Sequence, residues 1–139
     1  MTENKVLTGG AVRHQDSLMT TVMNSIPDLI FYKDLEGVYL GCNKAFAELI
    51  GRPVDEIVGK MDFDLFPENV ASFFREKDQE MLASRHTKRN DEWVDYPDGR
   101  HVLLDTLKTP LFDEHGKLCG LLGISRDVTV REVVDEKSG

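Results

Sequence analysis

The sequence predicts an α+β domain, a five-stranded antiparallel sheet with short helices on one face and a flanking helix at the N-terminus. Two observations carry this. Five β-rich runs can be picked out, and the last three are joined by turns far too short for a crossover, so they pair antiparallel. Between the second and third runs the apolar spacing lengthens to helical spacing, which supplies the helices that cover one face.

Residues 1–15 are polar and glycine-containing and read as a flexible tail. Residues 16–26 read as the flanking helix. Leu18, Met19, Val22, Met23 and Ile26 share one apolar face, Asp16 or Ser17 is placed to cap it, and Pro27 stops it. The domain proper spans residues 27–129, and residues 130–139 read as the start of a linker helix or a tail. "DLIFYKD" (28–34) and "GVYLGCN" (37–43) form a hairpin through "DLEG". The first strand is apolar on both faces, Leu29 and Phe31 on one and Ile30 and Tyr32 on the other, so both faces need cover. Asn43 stands where an N-cap belongs, ahead of a short helix with Ala45, Phe46, Leu49 and Ile50 on one side and Gly51 closing it. "RPVDEIVGK" adds an amphipathic turn opened by Pro53, and "MDFDLFPE" a compact apolar link. The longest helix runs from about Pro67 to Arg85. Its inner stripe is Val70, Phe73, Phe74, Met81 and Leu82, and its wet side Arg75, Glu76, Gln79 and Glu80. "DEWVDY", "HVLLDTLKTPLF" and "LCGLLGISRD" complete the sheet, turned by "PDGR" and "DEHGK".

The 139 residues suffice for one domain with one core. A net charge of −8 argues against nucleic acid, whose binding draws on Lys and Arg. The basic cluster "RHTKR", Arg85–Arg89, reads as a solvated helix end. No run reaches the roughly 18 apolar residues of a membrane span, and "MTENKVLTGG" has neither the basic flank nor the apolar block of a secretory signal. The reading is cytoplasmic, with Cys42 and Cys119 reduced and buried.

Motifs that carry chemistry are scarce. His14, His86, His101 and His115 are scattered, without a second His or Cys at metal-ligand spacing, so no metal is expected. No phosphate loop, nucleophile elbow or carboxylate pair stands out. Gly120 and Gly123 fall within a strand, where glycine marks a close approach or a bulge. A non-enzymatic protein is expected, with a small α+β enzyme as the alternative.

At the other end of the chain Thr129 and Glu132 have the spacing of a capping box, so a helix can begin where the sheet stops. Val130, Val133 and Val134 would start its apolar seam.

The succession "IPDLIFYKDLEGVYLGCNKAFAELIG", "PDGR" and "GLLGISRDVT" resembles the PAS sensory domain over about Ser25 to Arg131. In wording, "WVDYPDGR" and "GISRDVT" are closest to such domains of bacterial hybrid sensor histidine kinases and diguanylate cyclases. The resemblance implies a PAS-like sheet cupping a small cavity against the helices, and signal input rather than catalysis. It implies an effector domain, kinase or cyclase, outside this chain, since neither "HELRTP" nor "GGDEF" occurs. Light-sensing flavin members carry a reactive cysteine in an "NCRF" helix, whereas here Asn43 is followed by Lys44 and Cys42 precedes it in a strand. Haem-binding members place a histidine on the long helix; "PENVASFFREKDQEMLASR" has none, and His86 falls past its end. Haem and a photoactive flavin are therefore disfavoured, and the cofactor is left unknown.

The expected cavity for a small apolar ligand is walled by Ile30, Tyr32, Phe46, Phe66, Phe74, Trp93, Leu103 and Leu121. The same residues make a plain core if the domain serves only to hold dimers together. Tyr32 and Trp93 each need a polar partner when buried. Likeness to the family's Asp-x-Thr element adds a pairing of Asp127 with Arg131, so the expected signal-transmission junction is Asp127, Thr129 and Arg131. The flanking helix must dock its apolar face on the outer sheet or on its own copy, and a homodimer is expected.

Overall fold

The structure, a computed structural model, describes residues 9–129, with side chains from Ser17 onward. Helix α1 (Gly9–Asn24) leads into strands β1 (Leu29–Asp34) and β2 (Tyr39–Cys42). Three short helices follow, α2 (Lys44–Ile50), α3 (Val54–Ile57) and α4 (Asp62–Leu65), and then the long α5 (Glu68–Ser84). Strands β3 (Lys88–Asp95), β4 (His101–Phe112) and β5 (Leu118–Asp127) complete the described chain. The sheet order is β2-β1-β5-β4-β3, with every neighbouring pair antiparallel.

Several boundaries differ from the sequence reading. Helix α1 begins at Gly9, so Asp16 and Ser17 lie within it rather than capping it. Ala11, Arg13 and Gln15 are ordinary helix formers, and propagation does not require an apolar stripe. The apolar link is helix α4, with Asp62 buried and Phe63 turned out. The basic cluster divides: Arg85 is the left-handed C-cap of α5, while Lys88 and Arg89 open β3. On α5 the buried stripe is Ala71, Phe74, Asp78 and Met81, and Phe73 is exposed. Cys42 is buried, as expected, but Cys119 is exposed.

Asn43 holds the N-terminal half together. Its Oδ1 accepts from Phe46 N–H (3.1 Å), the N-cap bond of α2, and from Ile30 N–H (3.0 Å). Its Nδ2 donates to the carbonyls of Met23 (3.0 Å) and Asp28 (2.8 Å). One buried amide thus joins the end of α1, the start of β1 and the start of α2. Gly51 closes α2 at φ 78°, where a side chain would be strained.

Period-two alternation assigns each strand an inner face toward the helices. Leu29, Phe31 and Lys33 point inward from β1, Glu92 and Val94 from β3, Leu104 and Lys108 from β4, and Ser125 from β5. The core gathers Leu29, Phe31, Tyr39, Phe46, Ile57 and Met81, among others, between this face and the helices. Leu18, Met19, Val22 and Ile26 of the N-terminal segment are exposed. No helix among the described residues is long and apolar enough to cross a membrane.

Candidate functional site

Helices α2 and α5 and the inner sheet face enclose a cavity of about 20 Å³, room for roughly one water. Part of its lining is apolar, including Phe46, Leu49, Phe66, Phe74, Val94 and Leu104. The rest is polar: Lys33, Tyr39, Glu92, Lys108 and Ser125. The aromatic walls brace one another, with Phe31 and Phe46 centroids 5.0 Å apart and Phe66 meeting Phe74 edge-on at 5.0 Å. Gly123 makes room for Phe31. A Cβ there would lie 2.1 Å from the ring, so the glycine inside an apolar strand is a close approach rather than a bulge.

Apart from Ser125, which pairs with the Thr106 hydroxyl, the polar lining belongs to a buried charge network. Lys33 Nζ donates to Asp62 Oδ2 and to Asp78 Oδ2, each at 2.7 Å. The Tyr39 hydroxyl donates to Asp62 Oδ1 at 2.5 Å. Lys108 Nζ lies 3.0 Å from Asp78 Oδ1 and 3.5 Å from Glu92 Oε2. The network therefore ties α4 and α5 to β1, β2, β3 and β4. Burial alone would lower the Lys108 ammonium, but the charges of Glu92 and Asp78 outweigh it and hold it above the ordinary lysine value. Burial, then the Asp62 carboxylate, keeps the Tyr39 phenol well above its usual range. Formally three carboxylates face two ammoniums.

Of the expected cavity residues, Phe46, Phe66 and Phe74 line the cavity. Leu121 is fully buried on the inner face without lining it. Ile30 and Leu103 are buried on the outer face, and Tyr32 is half-buried there with its ring over Gly41. Trp93 is 49% exposed and stacks on His101 at 4.5 Å. These four are corrections with a single cause. Alternation fixes which residues share a face, not which face is inside, and the inner faces of β1, β3 and β4 carry Lys33, Glu92 and Lys108, which read as surface. The signal that finds them is complementary: two lysines and three carboxylates at inward positions of different elements.

At the end of β5, Asp127 Oδ1 accepts from Thr129 N–H (2.9 Å), and Thr129 Oγ1 accepts from Leu103 N–H (2.9 Å). Val128 N–H donates to Leu103 C=O (2.9 Å), so the exit is pinned to β4 on both sides of one residue. Thr129, the last described residue, is helical. Arg131 and the Glu132 half of the capping box lie outside the described residues. The neighbouring Arg126 forks onto Asp28, its Nη2 3.1 Å from Oδ2.

The family model described as "PAS fold" matches residues 23–133. The chain belongs to the PAS family. It is 31% identical over 118 residues to the aerobic respiration control sensor protein ArcB of Escherichia coli, a match covering 85% of this chain and 15% of ArcB. It is 27% identical over 117 residues to a diguanylate cyclase of Vibrio cholerae, covering 83% of this chain and 36% of the cyclase. Among solved structures, Vibrio cholerae VqmA superposes with a TM-score of 0.73 at 29% identity, over 85% of this chain and 52% of VqmA. The chain thus spans only a small part of the curated sensors it matches. Fold and relatives together make it a PAS sensory module, of the kind found as input domains in sensor kinases and cyclases.

Proposed function

We propose that this domain takes its signal in the core cavity and passes it through β4, β5 and the Asp127–Thr129 junction to an effector, a kinase or a cyclase, carried by a longer polypeptide or a partner chain. One observation carries the reading. Two of the strands that line the cavity, β4 through Leu104 and Lys108 and β5 through Ser125, are the ones that the junction fastens together at Leu103. The relatives support it, being sensor and signalling proteins of which this domain is one part. VqmA, similar over half its length, is described in complex with a ligand and DNA. The module itself is non-catalytic and cytoplasmic on this reading.

Two measurements test it. Denaturing mass spectrometry of natively purified protein should show a stoichiometric small molecule, or saturable uptake of one. Asp127→Ala, placed in the full-length protein, should leave circular dichroism unchanged and abolish the effector's response to stimulus. A fully responsive mutant removes the junction from the mechanism.

A second role, dimerisation, rests on a different feature. Leu18 (55% exposed), Met19, Val22 and Ile26 present an apolar surface that no described residue covers. VqmA is described as a dimer. Light scattering at roughly tens of micromolar protein should show two copies per particle, and a monomer there counts against the role.

A further inference from the structure

We propose that the guest of this cavity is a small cation bearing N–H donors, ammonium or a short primary amine, seated against Glu92. This rests on the reading of the cavity as the input site. Three features of the molecule converge on that chemistry.

The first is charge. Asp62, Asp78 and Glu92 outnumber Lys33 and Lys108 by one in a region sealed from water. A monovalent cation balances the network, a neutral guest leaves it unbalanced, and an anion worsens it. The second is unmet hydrogen bonding. Glu92 Oε2 is buried, lines the cavity and makes no hydrogen bond, the Lys108 ammonium standing 3.5 Å away and closer, at 3.0 Å, to Asp78 Oδ1. A waiting acceptor in the cavity wall calls for a donor. The third is the remainder of the wall. A calcium or magnesium ion wants six or more oxygen ligands, whereas Phe66 and Phe74 line the cavity beside the Glu92 carboxylate, and Lys108 Nζ already sits 5.5 Å from the Phe74 ring centroid. An ammonium can point its remaining N–H groups at an aromatic face as it points others at carboxylates. The cavity, about 20 Å³, admits the head group alone, so a longer alkyl body requires the phenylalanines to move aside.

The test is titration of the isotopically labelled domain with ethylammonium chloride, followed by backbone amide shifts and by thermal melting, against ethanol, sodium acetate and sodium chloride at equal ionic strength. The expected result is saturable shifts at cavity-lining residues and a raised melting temperature with ethylammonium alone. Glu92→Gln, which keeps the side chain's size, should weaken that binding at least tenfold. If ethanol or acetate produces the same shifts, the cation class is wrong and the cavity remains an input site. Sodium acting like ethylammonium overturns the N–H donor requirement. If no compound shifts the cavity amides, the cation proposal falls, and the input-site reading falls with it only where no molecule co-purifies either.

Discussion

Removing the Lys33 charge should cost the fold heavily and removing the Glu92 charge should cost it little, although both side chains are charged and buried. Lys33 is 1% exposed and stands 2.7 Å from each of two carboxylates. In Lys33→Met the apolar stem is kept and the ammonium is lost, leaving Asp62, Asp78 and Glu92 to share Lys108. Breaking a buried pair by removing one partner costs about 3–5 kcal/mol, a large part of the roughly 5–15 kcal/mol that holds a domain folded. For a chain of this size that loss lowers the melting temperature by about 10–20 °C. Glu92→Gln instead leaves two ammoniums facing two carboxylates. Among the described residues the one ion pair it breaks is the longest of the network, 3.5 Å to Lys108, and all the shorter ones survive. Its stability should stay within about 1 kcal/mol of the parent, on either side.

The assay is urea unfolding followed by far-ultraviolet circular dichroism, with midpoints compared at constant slope. Should Lys33→Met unfold within 1 kcal/mol of the parent, roughly the scatter of ordinary surface substitutions doubled, the network is not holding the helices to the sheet. If Glu92→Gln costs as much as Lys33→Met, charge excess is the wrong account of the cluster.

Two further outcomes follow from other parts of the molecule. Asn43→Ala should lose the α2 cap and orphan the buried Ile30 N–H, a combined cost of about 2–4 kcal/mol in the same urea assay, with faster hydrogen exchange at Ile30. Burial pushes the Cys42 thiol from 9.0 up to about 11. The neutral thiol is favoured only in the folded state, so its contribution is complete below pH 9 and is lost as pH climbs through 11. Between those values the parent should lose stability more steeply than Cys42→Ala, and parallel curves would deny the shift.

The architecture was legible because it depends on signals that are local in sequence. "DLEG", "PDGR" and "DEHGK" locate the turns, Asn43 and Gly51 bracket a helix, and short connections force antiparallel pairing. The cavity was half legible. Phe46, Phe66 and Phe74 stand on helical or connecting segments with clear apolar context, and they line it. On the strands, hydrophobicity could not choose between two faces that are both apolar. Ile30 at 6% exposure and Phe31 at 6% show how little burial separates them. What decides is the lysine two residues beyond Phe31, and its burial makes sense only once Asp62 and Asp78, on other elements, are seen to meet it. Long-range charge pairing has no periodicity to read.

That placement of charge also bears on the proposed route out of the core. Lys108 and Leu104 face the cavity, and Leu103, one residue from Leu104, faces away and donates its N–H to Thr129 Oγ1. A strand is stiff across so few residues, so a displacement of β4 toward a guest is felt at that hydrogen bond before it reaches α1, whose link to the core runs through Asn24, Asn43 and Lys44. Thr129→Val keeps the side chain's shape and removes its acceptor. It should leave guest affinity unchanged while reducing the response of the full-length protein, and Thr129→Ser, which restores the hydroxyl, should recover it. If valine signals as well as threonine, the state of the cavity leaves by another path, and the Asn43 connection to α1 becomes the one to cut.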